Sequence, residues 1–282
     1  MPLIWSWPFE PVVLIGVELA AVLYAVGGVG RRTELWRDVA FWSALVAILV
    51  ALQSPLEMLA RQLFWIHMVQ HLLLIVVAAP LLALASPWTR LWRALPRRLR
   101  RGIARPLFKS PRLAPLRGAY RVLSRPTVIW CLAAGNLWLW HVPAMYDLTL
   151  RYHLVHHLEH TLFLGLAIAF WAQLIDQYPF RSPLSTLGRA TYVFTAMIQS
   201  WVLAAVLSFA TSPLYTYALL PSRPGGISAL TDQQLGGGMM WVPGAITYAL
   251  VFVWLLFRWL AEEDARTQAV APVVERSQTI GG

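Results

Sequence analysis

The feature that most constrains this chain is its set of long apolar runs. A helix that crosses a bilayer needs about 20 consecutive, mostly apolar residues. The sequence predicts seven such spans: 11–30, 38–54, 63–85, 127–142, 155–176, 190–211 and 237–260. Every backbone N–H and C=O within the hydrocarbon must be satisfied by the protein itself, so runs of this length become helices. The expected fold is therefore all-α, a polytopic membrane protein with one seven-helix domain over residues 1–262. Composition agrees: 13% of the 282 residues are charged, about half the share usual in a soluble domain. The second and fourth runs are short. Pro80, Pro143 and Pro213 lie within or just beyond the runs, where proline kinks or ends a helix.

Charge sets the expected orientation. Twelve of the 23 cations fall between Arg90 and Arg125, and cationic loops stay in the cytoplasm. Alternating seven spans from there places 20 cations inside and leaves Arg61, Arg151 and Arg223 outside. The N-terminus is then outside and the C-terminus cytoplasmic. The net charge of +10 could suggest nucleic acid, but Arg outnumbers Lys 22 to 1 and the cations sit between apolar runs. Anionic lipid headgroups are the better match, with no nucleic acid as partner. The segment 88–125 reads as a basic cytoplasmic loop, made either of short interfacial helices or of disordered chain. Residues 263–282 read as a disordered tail. No Lys or Arg precedes Arg31, so the N-terminus does not read as an ordinary signal peptide. The lone Cys131 excludes a disulfide framework and a CxxC thiol metal site.

The seven histidines are not scattered. His67 and His71 open the third span, His141 ends the fourth, and His153, His156, His157 and His160 open the fifth. The orientation assigned from Arg and Lys alone puts all of them at the outer face. Residues four apart share a helix face about 6 Å apart along the axis, which pairs His67 with His71, His156 with His160, and His153 with His157. Two imidazoles at this spacing can hold one metal ion, and a third from another helix, such as His141, would complete a site. Imidazole suits copper, zinc, iron and nickel alike. Glu159 and Asp147 are candidates to accept the other ring N–H of a ligating histidine. Met240 would enter at the same level, and thioethers select Cu(I). Glu18, the one charge near mid-span, is a candidate for a proton or ion role.

Three patterns compete for these residues. His156-x-x-Glu159-His160 matches the H-x-x-E-H of inverted zinc proteases. His67-x3-His71 with His153-x2-His156-His157 is similar to the histidine boxes of membrane di-iron desaturases, although those enzymes carry more histidines and face the cytoplasm. Paired histidines on two spans could also ligate haem axially.

The ordered motifs carry a further resemblance. Ser54-Pro-Leu56, His67-Met-Val-Gln-His71 with Pro80-Leu-Leu82, Trp140-His-Val-Pro-Ala-Met-Tyr-Asp147, His156-x-x-Glu159-His160 and Asp232-Gln-Gln-Leu-Gly236 with Met240-Trp241 resemble the polytopic CtaG-type cytochrome c oxidase assembly factors from about residue 10 to 260. The resemblance implies a multi-pass bacterial plasma-membrane protein that matures haem–copper oxidase through copper. It carries the metal role to His67, His71, His141, His156 and His160, while His153 and His157 fall outside the pattern. The expected function is a non-enzymatic assembly factor that binds copper at the outer-face histidines and presents it to an oxidase subunit. The alternatives are a zinc protease, a di-iron oxidoreductase or a haem-binding electron carrier. Oligomeric state is not set by the sequence.

Overall fold

A computed structural model describes residues 8–30, 34–177, 180–219 and 224–280. Arg31, Arg32 and Arg223 of the charge tally lie outside the described residues. The elements in order are α1 (Pro11–Gly28), α2 (Leu35–Gln53), α3 (Pro55–Ala60) and α4 (Phe64–Leu72). A π-helical turn (Leu73–Ala78) then leads into α5 (Ala79–Ala85). After these come α6 (Trp88–Ala94), α7 (Arg97–Lys109), α8 (Ala114–Leu123), α9 (Pro126–His141), α10 (Pro143–Arg151), α11 (His153–Leu174), α12 (Thr186–Ser208) and α13 (Ala229–Ile280). No strand forms among the described residues beyond one isolated bridge between Gln177 and Phe180. The all-α expectation holds.

Among the described residues, six helices are long and apolar enough to cross a membrane: Pro11–Gly28, Leu35–Gln53, Phe64–Ala85, His153–Leu174, Thr186–Ser208 and Ala229–Gln268. The fourth expected span differs. α9 has 16 residues, about 24 Å at 1.5 Å per residue, short of the roughly 30 Å hydrocarbon core. It meets α10 at a bend of 74°. Pro143 opens α10, and its missing N–H and fixed ring end the α9 ladder there. Seven spans result when this bent pair counts as one. The outward faces of α1 (Val12, Ile15, Leu19, Val22) and α13 (Val242, Ile246, Leu250, Phe257) are exposed and apolar, as a face turned to lipid must be.

Hydrophobic burial gives little drive between helices already surrounded by lipid, so close packing of small residues takes over. On α2, Ala40, Ala44, Ala47 and Ala51 are buried in one stripe that packs with Ala78 and Ala85, while Ala79 and Ala83 pack on the other side with Ala167, Ala190 and Ala196. Gly237 brings α13 onto α12: a Cβ there would lie 2.8 Å from Ser208 N and 3.0 Å from Ala204 O. Gly236 does the same against the ring of Phe64 on α4.

The segment 88–125 is helical, as α6, α7, a short 3-10 turn and α8. α7 is mostly exposed and has no buried residue, and Arg90 ties the segment back to Asp38 on α2. α13 continues as helix to Ile280, past the last apolar residues of the seventh span. Around residue 262 it carries paired charges, Arg258 with Glu262 and Arg266 with Glu263, the i,i+4 and i,i+3 spacings that support a helix.

Candidate metal centre

Two helices build the site, and each is fixed at its start. α4 begins where the Asp232 carboxylate of α13 accepts from Phe64 N at 3.0 Å and Trp65 N at 3.1 Å. The first N–H groups of a helix have no partner within it, and here a buried carboxylate 168 residues away caps them. His67 and His71 follow one and two turns later on the inward face, both buried. The π turn comes directly after. Pro80 cannot donate to Val76, and the wider turn lets Ala79 N bond Leu74 O instead. Trp171 Nε1 takes up the Ile75 carbonyl at 2.7 Å. A π turn beside a functional site is a common arrangement.

α11 starts at His153 after an extended Tyr152. At 100° per residue its four histidines form two i,i+4 stripes about 60° apart. The His156/His160 stripe faces α4, with both rings buried, and Glu159 between them is fully buried. Ligand atoms of His67, His156, Glu159 and His160 all lie within 4.8 Å of one another. His71 joins them: its Nε2 is 3.0 Å from His67 Nε2 and 3.5 Å from Glu159 Oε1. His67 Nε2 stands 3.4 Å from Glu159 Oε2.

These contacts are too long to be good hydrogen bonds to the carboxylate. Neither Glu159 oxygen has a hydrogen-bond partner, and His160 Nε2 and His71 Nδ1 have none either. A carboxylate stripped of water and donors costs several kcal/mol to bury ionised. A cation held among these atoms removes that cost. Two nitrogens bound to one ion at about 2.0–2.1 Å each are separated by roughly 3 Å, the spacing seen between His67 and His71. The donor set of imidazole nitrogens plus one carboxylate therefore fits a d-block cation.

The surroundings orient these rings. His67 Nδ1 meets Tyr146 Oη at 2.9 Å, which leaves Nε2 as the ligating atom if the tyrosine accepts the ring N–H. His156 Nδ1 is 3.5 Å from Glu57 Oε1. Glu57 is itself held by Gln70 Nε2 at 2.9 Å and Arg61 at 3.3 Å. Gln70 also donates to the Ala51 carbonyl at 2.7 Å, locking α4 to α2. Burial pushes the Glu57 carboxyl up, against the opposing pull of Gln70 and Arg61.

The sequence composing this site also decides its family. The family profile of the cytochrome c oxidase caa3 assembly factors (Caa3_CtaG) matches residues 20–262. This chain belongs to that family. Its curated relatives include uncharacterized proteins of Mycobacterium bovis and Mycobacterium tuberculosis. Each is 27% identical over 271 residues, covering 92% of this chain and 40% of the relative. A Mycobacterium leprae protein, also uncharacterized, is 25% identical over the same length. The chain thus spans about 40% of the length of these relatives. No solved structure matches.

Every buried donor described above lies inside the matched caa3 assembly-factor region. The structure places the other expected site residues as follows. His141 is not among the grouped ligand atoms. Its Nδ1 lies 2.7 Å from the Leu137 carbonyl and its Nε2 faces Met68 Sδ at 3.4 Å. Met240 is buried and lines a cavity of about 50 Å³ with Met68, His71 and His141. Glu159 stands among the imidazoles as a further candidate ligand. Asp147 does not face the buried histidines; it accepts from Thr216 N at 3.0 Å and Thr216 Oγ1 at 2.8 Å, holding the α12–α13 connection. Glu18 is exposed on α1. Sequence reasoning missed Glu57, Met68, Gln70 and Tyr146. All but Glu57 lie inside the quoted motifs, and Glu57 follows Ser54-Pro-Leu56 directly.

Proposed function

We infer that this caa3 assembly factor holds copper at the buried histidine–glutamate cluster and presents it to a haem–copper oxidase subunit, without catalysing a reaction of its own. The observation that carries the reading is the Glu159 carboxylate, fully buried without a hydrogen bond among four imidazoles. Divalent copper stands above zinc in affinity for nitrogen and oxygen donors, and the thioethers of Met68 and Met240 suit Cu(I). The reading places the protein in a bacterial plasma membrane, with the histidine end outward and the arginines of α6 to α8 against anionic lipid.

The same ligands could serve a zinc protease, with Glu159 as general base. The space beside them favours storage. The cavities touching the cluster measure about 110 Å³ and 50 Å³, against the roughly 300 Å³ or more that a ligand pocket needs. The same limit weighs against a haem.

The test is copper content of the purified protein, together with oxidase activity in a deletion strain complemented with wild type or His156→Ala/His160→Ala. Copper bound by the wild type and lost by the double variant, with oxidase activity lost alongside, supports the reading. Full copper and full oxidase activity in the double variant would overturn it.

A further inference from the structure

The second histidine stripe of α11 meets a carboxylate that the family match does not reach. Glu10 precedes the matched region, which begins at residue 20. Its Oε1 lies 2.9 Å from His153 Nε2 and its Oε2 lies 3.2 Å from His157 Nε2. The two imidazoles lie one turn apart, edge to face, with ring centroids 4.2 Å from each other. Glu10 is fixed rather than loose: its backbone carbonyl accepts from Gln53 Nε2 at 2.6 Å, and its N–H reaches Gln53 Oε1 at 3.4 Å. Gln53 ends α2, so α1, α2 and α11 together position this group. The side chains grade outward, with Glu10 11% exposed, His157 27% and His153 46%. The side chains of the inner cluster, by contrast, are all buried.

A cavity of about 110 Å³ joins the two levels, and Arg61, His67, His153 and His156 all line it. Arg61 spans them electrostatically. It lies 3.7 Å from Glu10 and 3.3 Å from Glu57, the carboxylate that backs His156.

We propose that Glu10, His153 and His157 form a second, solvent-accessible metal site that captures a copper ion and passes it through this cavity to the buried cluster. The three groups offer two imidazole nitrogens and one carboxylate oxygen within 4.8 Å, and the remaining coordination positions face water. That open sphere suits an ion in transit, because ligands can be exchanged one at a time. The register of α11 supplies the route. A shift of one residue, from His157 to His156, turns from the exposed stripe to the buried one. An ion at Glu10 repels the Arg61 guanidinium toward Glu57, clearing the cavity that the arginine lines. The existence of the exposed site stands by itself, whereas its role in loading rests on the copper reading of the buried cluster.

The experiment uses the full chain in detergent with Cu²⁺ alone as probe. His67→Ala/His160→Ala disables the buried cluster. In that background Cu²⁺ should still bind at one equivalent, with an electron paramagnetic resonance spectrum showing coupling to two imidazole nitrogens. Adding His153→Ala/His157→Ala should abolish that equivalent, and Glu10→Gln should weaken it about 10-fold. His153→Gln/His157→Gln, which keeps size and polarity at these partly exposed positions, should give the same loss and guards against misfolding. Equal Cu²⁺ binding with and without His153 and His157 overturns the site. Failure of the buried reading is distinct: wild type and His67→Ala/His160→Ala would then bind the same amount. For transfer, His153→Ala/His157→Ala in the otherwise intact protein should load the buried cluster at least about 10-fold more slowly to the same final content, and an unchanged rate overturns the relay.

Discussion

Replacing Glu159 with Gln isolates the charge at the centre of the buried cluster. Gln keeps the size of Glu and one acceptor oxygen, so packing changes little. What it removes is the negative charge beside the ion. Two unit charges about 4 Å apart attract by about 4 kcal/mol at an effective dielectric of about 20. The ligand atoms of the cluster lie within 4.8 Å of one another, so an ion among them is no farther than that from the carboxylate. Against this, a neutral amide costs less to desolvate than a carboxylate. Allowing for that offset, the net loss is about 2–3 kcal/mol, or roughly 30- to 150-fold in copper affinity at 1.4 kcal/mol per decade. The assay is competition for Cu(I) against a chromogenic chelator, with wild type and Glu159→Gln compared in the same detergent. Because the site is otherwise intact, excess copper should restore occupancy and part of the oxidase maturation. An unchanged affinity would refute the reasoning, since it would mean that the carboxylate does not face the ion as a charge. A Glu159→Gln variant as inactive at saturating copper as His156→Ala/His160→Ala would instead favour Glu159 as a general base, which an amide cannot replace.

Further outcomes follow from the same geometry. His71→Ala and His160→Ala should each lower bound copper in purified protein, whereas His153→Ala should leave the equilibrium content of the buried cluster near wild type. Asp232→Ala removes the cap of α4 and should cost about 1–2 kcal/mol, read as a lower thermal midpoint in detergent; Asp232→Asn should recover most of it, and equal stability of all three proteins would refute the cap. Reporter fusions at Arg101 and at the C-terminus should read cytoplasmic, and fusions near Asp147 and Gly226 external, with a reversed pattern placing the histidines on the opposite face.

The sequence by itself determined the helical class, because apolar runs near 20 residues have no other way to satisfy their backbone. It also determined which histidines share a face, since the i,i+4 spacing of His67/His71, His156/His160 and His153/His157 is a property of helix geometry alone. The fourth span was legible only in part. Pro143 marked the break after His141, but a 74° bend depends on what receives α10. Tertiary structure alone decided which stripes meet. Spacing cannot say whether α4 faces the 156/160 stripe or the 153/157 stripe, because the two are only about 60° apart. That choice is made by the cap from Asp232 and the small-residue packing of α2, which set the rotation of α4 from distant parts of the chain, together with the π turn that follows it. The roles of the carboxylates were likewise hidden. Glu159 and Asp147 look alike in sequence, yet one is buried among imidazoles and the other ties down Thr216. Glu10, ten residues from the start and 143 residues before His153, reaches its histidine only because α1 packs beside α2 and Gln53 holds its backbone. Helical register is written locally in a sequence, whereas the environment of a charge is set by whichever helices fold around it.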